Sequence, residues 1–251
     1  MAMGAPGGRP RLQPGLTSAS QASYDERIVF MRASALFANI SPGECAEILS
    51  CARVRTFARN EMLFLQGEPV NNLLLIQTGS VKLTQISSDG NEAILWISGS
   101  GDVVGVHAEI VGSNHTCSAR AMEQCKTIVW EFKRLQLLGT QYPEITENLA
   151  RMLNRSLQDL EERFCEIATE NAAKRLALGF LRLMKSVGKV RKDGLEVGLM
   201  REELAQMTGT TPFTISRILA KWSDQGVVIL HRQSIVIPDA DRLRLVADQE
   251  S

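Results

Sequence analysis

Arg217 carries the most specific chemistry in this chain. A guanidinium spans O6 and N7 of guanine in the DNA major groove. Around it stand Thr211, Phe213, Thr214, Ser216 and Lys221. Thr211, Thr214 and Lys221 suit phosphate oxygens, as does Arg232 further on, and Ser216 serves either base type. Phe213 has two readings: a contact to a thymine methyl or the backbone, or a core residue. Pro212 offers no polar contact to a base edge. These groups can read and neutralise a polyanion. They contain neither a catalytic set nor a metal-ligand set.

Residues of this kind work only if a rigid element presents them. Met200 to Trp222 supplies one, a short helix, a Gly-containing turn and a second helix, which is a helix-turn-helix. Leu204 and Met207 give the first helix an apolar side. Gly209 supplies the turn conformation that other residues adopt poorly. Thr211 caps the second helix, and Pro212 fits its first position, where no backbone donor is needed. Ile215, Ile218, Leu219 and Trp222 form one apolar face. Phe213, Thr214, Ser216, Arg217 and Lys221 fall largely off it. Val227–Leu230 and Ser234–Ile237, joined through His231-Arg232-Gln233, complete a β wing.

The 251 residues suggest one or two domains. Hydrophobic content of 44% and charged content of 22% match a globular protein. No apolar run reaches the ~18 residues of a membrane helix, so a cytoplasmic location without a membrane partner is expected. Net charge is zero, but residues 170–238 hold 11 Lys and Arg against 6 Asp and Glu, a net of +5. Residues 1–169 hold 15 against 18, a net of −3. A basic C-terminal third fits phosphate contact. The five cysteines are scattered, with no Cys-x-x-Cys, and read as reduced, mostly apolar core residues.

Residues 1–22 read as a Gly-, Pro- and Ser-rich disordered tail. Residues 23–141 form an effector domain. It opens with helical stretches at Asp25–Met31 and Pro42–Cys51, the second capped by Ser41 with Glu44 at the third helical position. Short β-like runs then fill Arg53 to Glu131, broken by Gly67, Gly79, Asp89-Gly90, Gly101-Asp102 and Gly112. Asp-Gly between alternating runs is a hairpin signal, and many short strands imply a β sandwich or jelly roll. Residues 142–168 read as one long helix. Leu153, Leu157, Leu160, Phe164 and Ile167 recur at spacings of four and three, a coiled-coil seam suited to a second copy of the chain. Residues 169–245 form the winged helix-turn-helix, with a helix at Ala172–Lys185 and a loop through Gly188 and Asp193-Gly194. The fold class is therefore α+β: β jelly roll, dimerisation helix, winged helix-turn-helix.

This order, with Gly67-Glu68, Thr78-Gly79-Ser80-Val81, Asp89-Gly90, Gly101-Asp102, Gly105, Thr208-Gly209 and Ser216-Arg217, resembles the cyclic-AMP receptor protein / fumarate-nitrate regulator (CRP/FNR) family of bacterial transcription regulators. The resemblance covers about residues 25–240. It implies a homodimer on an inverted-repeat operator, a cyclic-nucleotide-binding-like roll whose effector reorients the DNA-binding unit, and RNA polymerase as a partner. It also places an effector pocket around Gly105, Val106, His107, His115, Thr116, Leu160 and Glu161. The departures matter. Where cyclic-AMP-binding members hold ribose with Gly-Glu, this chain has Gly105-Val106. His115-Thr116 replace the Arg-Ser that holds the phosphate, and Leu160-Glu161 replace the Thr-Ser that reaches the base. A phosphodiester without its guanidinium loses a bidentate pair, so cyclic AMP is not the expected effector. Nor is the iron–sulfur signature present, because no cysteine precedes Cys45. Cys45 and Cys51 would point about 120° apart on a helix. No cofactor is identified, and an unknown small effector remains open. Two rivals stand beside this reading: a haem-based gas or redox sensor using His107 or His115, and a cupin-type metalloenzyme, which needs clustered His and carboxylate ligands.

Overall fold

We describe a computed structural model of the chain covering residues 18–106 and 114–249. Helix α1 (Ser18–Ala33) begins inside the stretch read as a tail. Helix α2 (Pro42–Ser50) opens as its sequence requires. Glu44 N–H donates to Ser41 Oγ at 3.4 Å, and Ser41 N–H donates to Glu44 Oε2 at 2.9 Å.

Among the described residues, eight strands follow: β1 (Arg53–Phe57), β2 (Met62–Phe64), β3 (Asn72–Thr78), β4 (Val81–Ile86), β5 (Glu92–Ser98), β6 (Val103–Val104), β7 (Ser118–Ala121) and β8 (Cys125–Glu131). They form two antiparallel four-stranded sheets, ordered β1-β8-β3-β6 and β2-β7-β4-β5. The run Leu73-Leu74-Leu75-Ile76 does not alternate in polarity because both faces of β3 are covered. Leu74 and Ile76 point between the sheets with Phe57, Leu83 and Val129, while Leu73 and Leu75 join the helices through Phe37, Ile48 and Trp130. Gly90, at φ +81°, makes the β4–β5 turn expected from Asp89-Gly90.

Helix α3 (Phe132–Gln141) occupies residues read as the end of a strand and a connection. Its Leu135 and Leu138 bury against the helix-side core, and that packing decides its conformation. Helix α4 (Pro143–Thr169) is the long helix, close to the expected span.

The C-terminal unit contains α5 (Ala172–Ser186), α6 (Arg201–Thr208), α7 (Pro212–Asp224) and α8 (Ala240–Gln249). The segment expected as a loop through Gly188 and Asp193-Gly194 is instead a hairpin of β9 (Lys189–Arg191) and β10 (Gly194–Val197). It extends the wing strands β11 (Ile229–Leu230) and β12 (Ile235–Ile237) into a sheet ordered β11-β12-β10-β9. Helix α8 was not expected; Leu243 and Ala247 bury it in the C-terminal core. No described helix is long and apolar enough to cross a membrane.

The C-terminal core does not stop at the C-terminal unit. It takes in Ile94 and Ile97 of β5 beside Leu176, Phe180, Leu183, Leu204 and Trp222. A Cβ on Gly99, just after β5, would lie 2.2 Å from the Ser186 carbonyl oxygen. Gly99→Ala should therefore force the roll and α5 apart and cost roughly 1–3 kcal/mol in denaturant unfolding, as overpacking does. Wild-type stability in that variant would contradict this packing.

Candidate nucleic-acid interface and effector pocket

The helix-turn-helix is set by local chemistry. Helix α6 ends at Gly209, whose φ of 62° and ψ of 45° are left-handed. Thr211 Oγ1 accepts the Thr214 N–H at 3.2 Å and starts α7. Arg175 of α5, which the sequence reading did not single out, braces the turn. Its guanidinium donates to the carbonyls of Thr208 at 2.8 Å, Gly209 at 3.3 Å and Glu170 at 2.7 Å.

Ile215, Ile218, Leu219 and Trp222 are buried as their spacing requires. Phe213, Arg217 and Lys221, each four residues from the next, are exposed along one stripe of α7. Phe213 is 79% exposed, so it is not a core residue of this unit. Thr214 and Ser216 are half-buried beside the stripe. Arg232 is exposed in the turn between β11 and β12, closed by His231 N–H to the Ser234 carbonyl at 2.9 Å. An open groove of about 170 Å³ between wing and α6 carries Arg201, His231 and Arg232.

The described effector candidates lie in different surroundings. Gly105 has φ +94°, and a Cβ there would sit 2.8 Å from the Asn72 carbonyl oxygen. Val106 is buried in the helix-side core with Leu73, Trp130 and Tyr142. His107 lies outside the described residues. Thr116, Leu160 and Glu161 are exposed. Among the described candidates, His115 alone lines the cavity of about 90 Å³ beside Arg55, Phe64, Glu68, Asn71 and Asn72. The His115 and Phe64 rings stack at 3.8 Å with planes 9° apart. Burial lowers the His115 pKa, and the nearby Glu68 carboxylate opposes that shift. Among the described residues, no group of three or more His, Cys, Asp or Glu side chains could hold a metal ion.

Helix α4 carries two surfaces. Its first half packs inward through Ile145, and Asn148 Nδ2 donates to the carbonyls of Leu36 at 3.0 Å and Ala38 at 2.8 Å. Leu153 is half-buried against this core. Further along, Leu157, Leu160, Phe164 and Ile167 are all exposed, Phe164 by 74%. On the other side, Arg163 Nη1 donates to the Leu95 carbonyl, and Glu166 takes Arg182 of α5 at 2.5 and 2.8 Å.

Known proteins match each part. Residues 54–141 match the cyclic nucleotide-binding domain family, and residues 174–246 match the Crp-like helix-turn-helix domain. The chain is 28% identical over 210 residues to the CRP-like cAMP-activated global transcriptional regulator of Mycobacterium tuberculosis, covering 83% of this chain and 94% of that one. It is 27% identical over 217 residues to the cyclic AMP receptor protein of Thermus thermophilus, covering 86% and 98%. Its fold matches the c-di-GMP responsive global regulator CLP of Xanthomonas campestris at a TM-score of 0.69, with 22% identity, covering 79% and 100%. FixK2 from Bradyrhizobium japonicum gives 0.69 and 22%, covering 78% and 96%. A cyclic-nucleotide-binding-like roll followed by a Crp-like helix-turn-helix, matched along nearly the full length of such regulators, is not an enzyme's architecture: the chain belongs to the CRP/FNR family of transcription regulators.

Proposed function

We propose that the protein is a cytoplasmic homodimer that binds an inverted-repeat operator and answers, through its roll, to a signal other than cyclic AMP. The observation that carries this reading is the exposed Phe213–Arg217–Lys221 stripe of α7, held rigid by the buried face beneath it. Thr211, Thr214, Ser216 and Arg232 flank the stripe and complete the proposed DNA-contacting set. The exposed stripe of α4 supports the dimer. Burying each such side chain is worth roughly 1.5–3 kcal/mol, and Leu157, Leu160, Phe164 and Ile167 are all exposed on the chain by itself. Partnership with RNA polymerase belongs to this reading by family membership.

The relatives named for cyclic AMP raise that ligand as an alternative. Against it stands the chemistry of the roll. Val106 is turned into an apolar core, and His115 is stacked and desolvated. Neither supplies the carboxylate or guanidinium that a ribose phosphate needs. Calorimetry with cyclic AMP should show no micromolar binding; a micromolar Kd would refute this part.

Replacing Leu157 and Leu160 together with Lys should place like charges in the seam. The expected result is a monomer by analytical ultracentrifugation and loss of operator binding. A dimer that survives both changes would remove α4 as the interface.

Selection from random DNA tests the operator. The sites recovered should be inverted repeats with half-site centres about 34–36 Å apart, one helical turn. Arg217→Ala should cost ~1–3 kcal/mol and relax one guanine in each half-site. Lys221→Ala should weaken all sequences alike and flatten the salt dependence by about one unit of slope. Unchanged sequence preference in Arg217→Ala would overturn the assignment.

A further inference from the structure

We propose that Phe213 reads the C5-methyl group of a pyrimidine in each half-site, beside the guanine taken by Arg217. The inference rests on the DNA-reading role of α7 and goes further by naming the chemical group recognised. Three observations lead to it.

The first is exposure without a packing role. Phe213 is 79% exposed, while the apolar face of α7 is already filled by Ile215, Ile218, Leu219 and Trp222. The ring is therefore not needed by the core of α7 and is free to meet whatever this end of the helix faces.

The second is position. Phe213 is the second residue of α7, and the N-terminal residues of a recognition helix meet base edges. It stands four residues before Arg217, so the ring and the guanidinium are neighbours on one stripe.

The third is the state of the polar groups around it. Pro212 has no N–H. Thr211 and Thr214 hydrogen-bond to each other through their hydroxyls at 3.0 Å. Ser216 Oγ donates to the Pro212 carbonyl at 2.9 Å. The start of the helix therefore presents a ring to the groove, with its hydroxyls engaged along the helix.

The choice of base group follows. On the major-groove edge of DNA, the apolar feature is the thymine C5-methyl; the other groups are hydrogen-bond donors and acceptors. A phenyl ring pressed on a donor or acceptor strips its water and returns no bond, which costs free energy. A phenyl ring on a methyl buries apolar surface on both sides. The same methyl occurs on 5-methylcytosine, so the recognised chemistry is a C5-methyl pyrimidine, supplied either by sequence or by cytosine methylation.

The test uses the full-length dimer and duplexes of its selected operator. Thymines in each half-site are replaced one at a time by deoxyuridine, which keeps every hydrogen-bonding group and removes the methyl. At one position the wild type should weaken about fourfold for one half-site, and on the order of fifteenfold when both are changed, the worth of one buried carbon per site. Phe213→Ala should lose this sensitivity while retaining the guanine preference, and Phe213→Leu should keep part of it. Phe213→Glu should move the selected base at that position to cytosine, whose N4 amino group a carboxylate accepts. Placing 5-methylcytosine opposite guanine there should bind wild type more tightly than unmodified cytosine. If thymine alone supports binding, the source is sequence; if both methylated bases do, methylation state is also read. Selected inverted repeats that ignore deoxyuridine at every position, or a Phe213→Ala variant as sensitive as wild type, overturn the methyl reading and leave the regulator intact. Failure to recover any inverted repeat overturns both.

Discussion

The architecture turns on one irregularity in β5. Register with β4 pairs Leu83 with Trp96 and Thr84 with Ile94, so Leu95 is an extra residue, a β-bulge. A bulge reverses the alternation of side chains. It brings Ile94 and Ile97, three residues apart, into the same C-terminal core. It also leaves the Leu95 carbonyl outside the ladder, where Arg163 of α4 takes it. A guanidinium desolvated this far needs such acceptors, and burial lowers the Arg163 pKa. Three parts of the chain therefore meet at one strand: the roll that contains it, the long helix that binds its carbonyl and the C-terminal core that buries its isoleucines.

The same junction is tied by polar contacts. Lys82 of β4 pairs with Glu203 of α6 at 2.9 Å, with both side chains largely buried. The other Glu203 oxygen accepts the Met200 N–H at 3.1 Å, so one carboxylate both starts the first helix of the helix-turn-helix and anchors it to the roll. Gln206 reaches Glu92 at 3.4 Å, and Lys189 of β9 pairs with Glu123 at 2.7 Å. Removing one member of the Lys82–Glu203 pair would leave a largely buried charge without its partner, a costly state. A shift of α6 against the roll would therefore disturb groups that the contact desolvates.

What was legible in the sequence was local. The Ser41–Glu44 cap, the Asp89-Gly90 turn, the Gly209 turn with its Thr211 cap and the apolar faces of α4 and α7 each depend on residues within one or two helical turns of each other. What was not legible depends on distant partners. Strand β9 is exposed along its length, and the hairpin it makes with β10 is held because Leu195 and Val197 pair with Ile237 and Ile235. Helix α8 is fixed by Leu243 and Ala247 against the C-terminal core. Arg163, Arg175 and Lys82 look like surface residues in the sequence, since nothing near them announces a carbonyl or carboxylate waiting across the fold. The candidate site divided in the same way. The α7 stripe followed from helical spacing, whereas the effector residues were grouped by family position, and side chains such as Val106 turn elsewhere.

The roll shows how such a scaffold keeps its frame while its chemistry changes. The positive-φ glycines Gly67, Gly79, Gly90, Gly101 and Gly105 hold the turns between strands. That backbone requirement is indifferent to ligand. The space the turns enclose is a different matter. Phe57, Phe64, Leu74, Leu83 and Val129 fill the interior with apolar side chains, and the Phe64–His115 stack closes its polar rim. The cavity beside His115, about 90 Å³, is small beside the ~300 Å³ at which ligand pockets for drug-sized molecules begin. The turn glycines and the interior side chains are therefore under separate constraints. The first hold the turns between the strands of the roll, and the second set the chemistry of its interior.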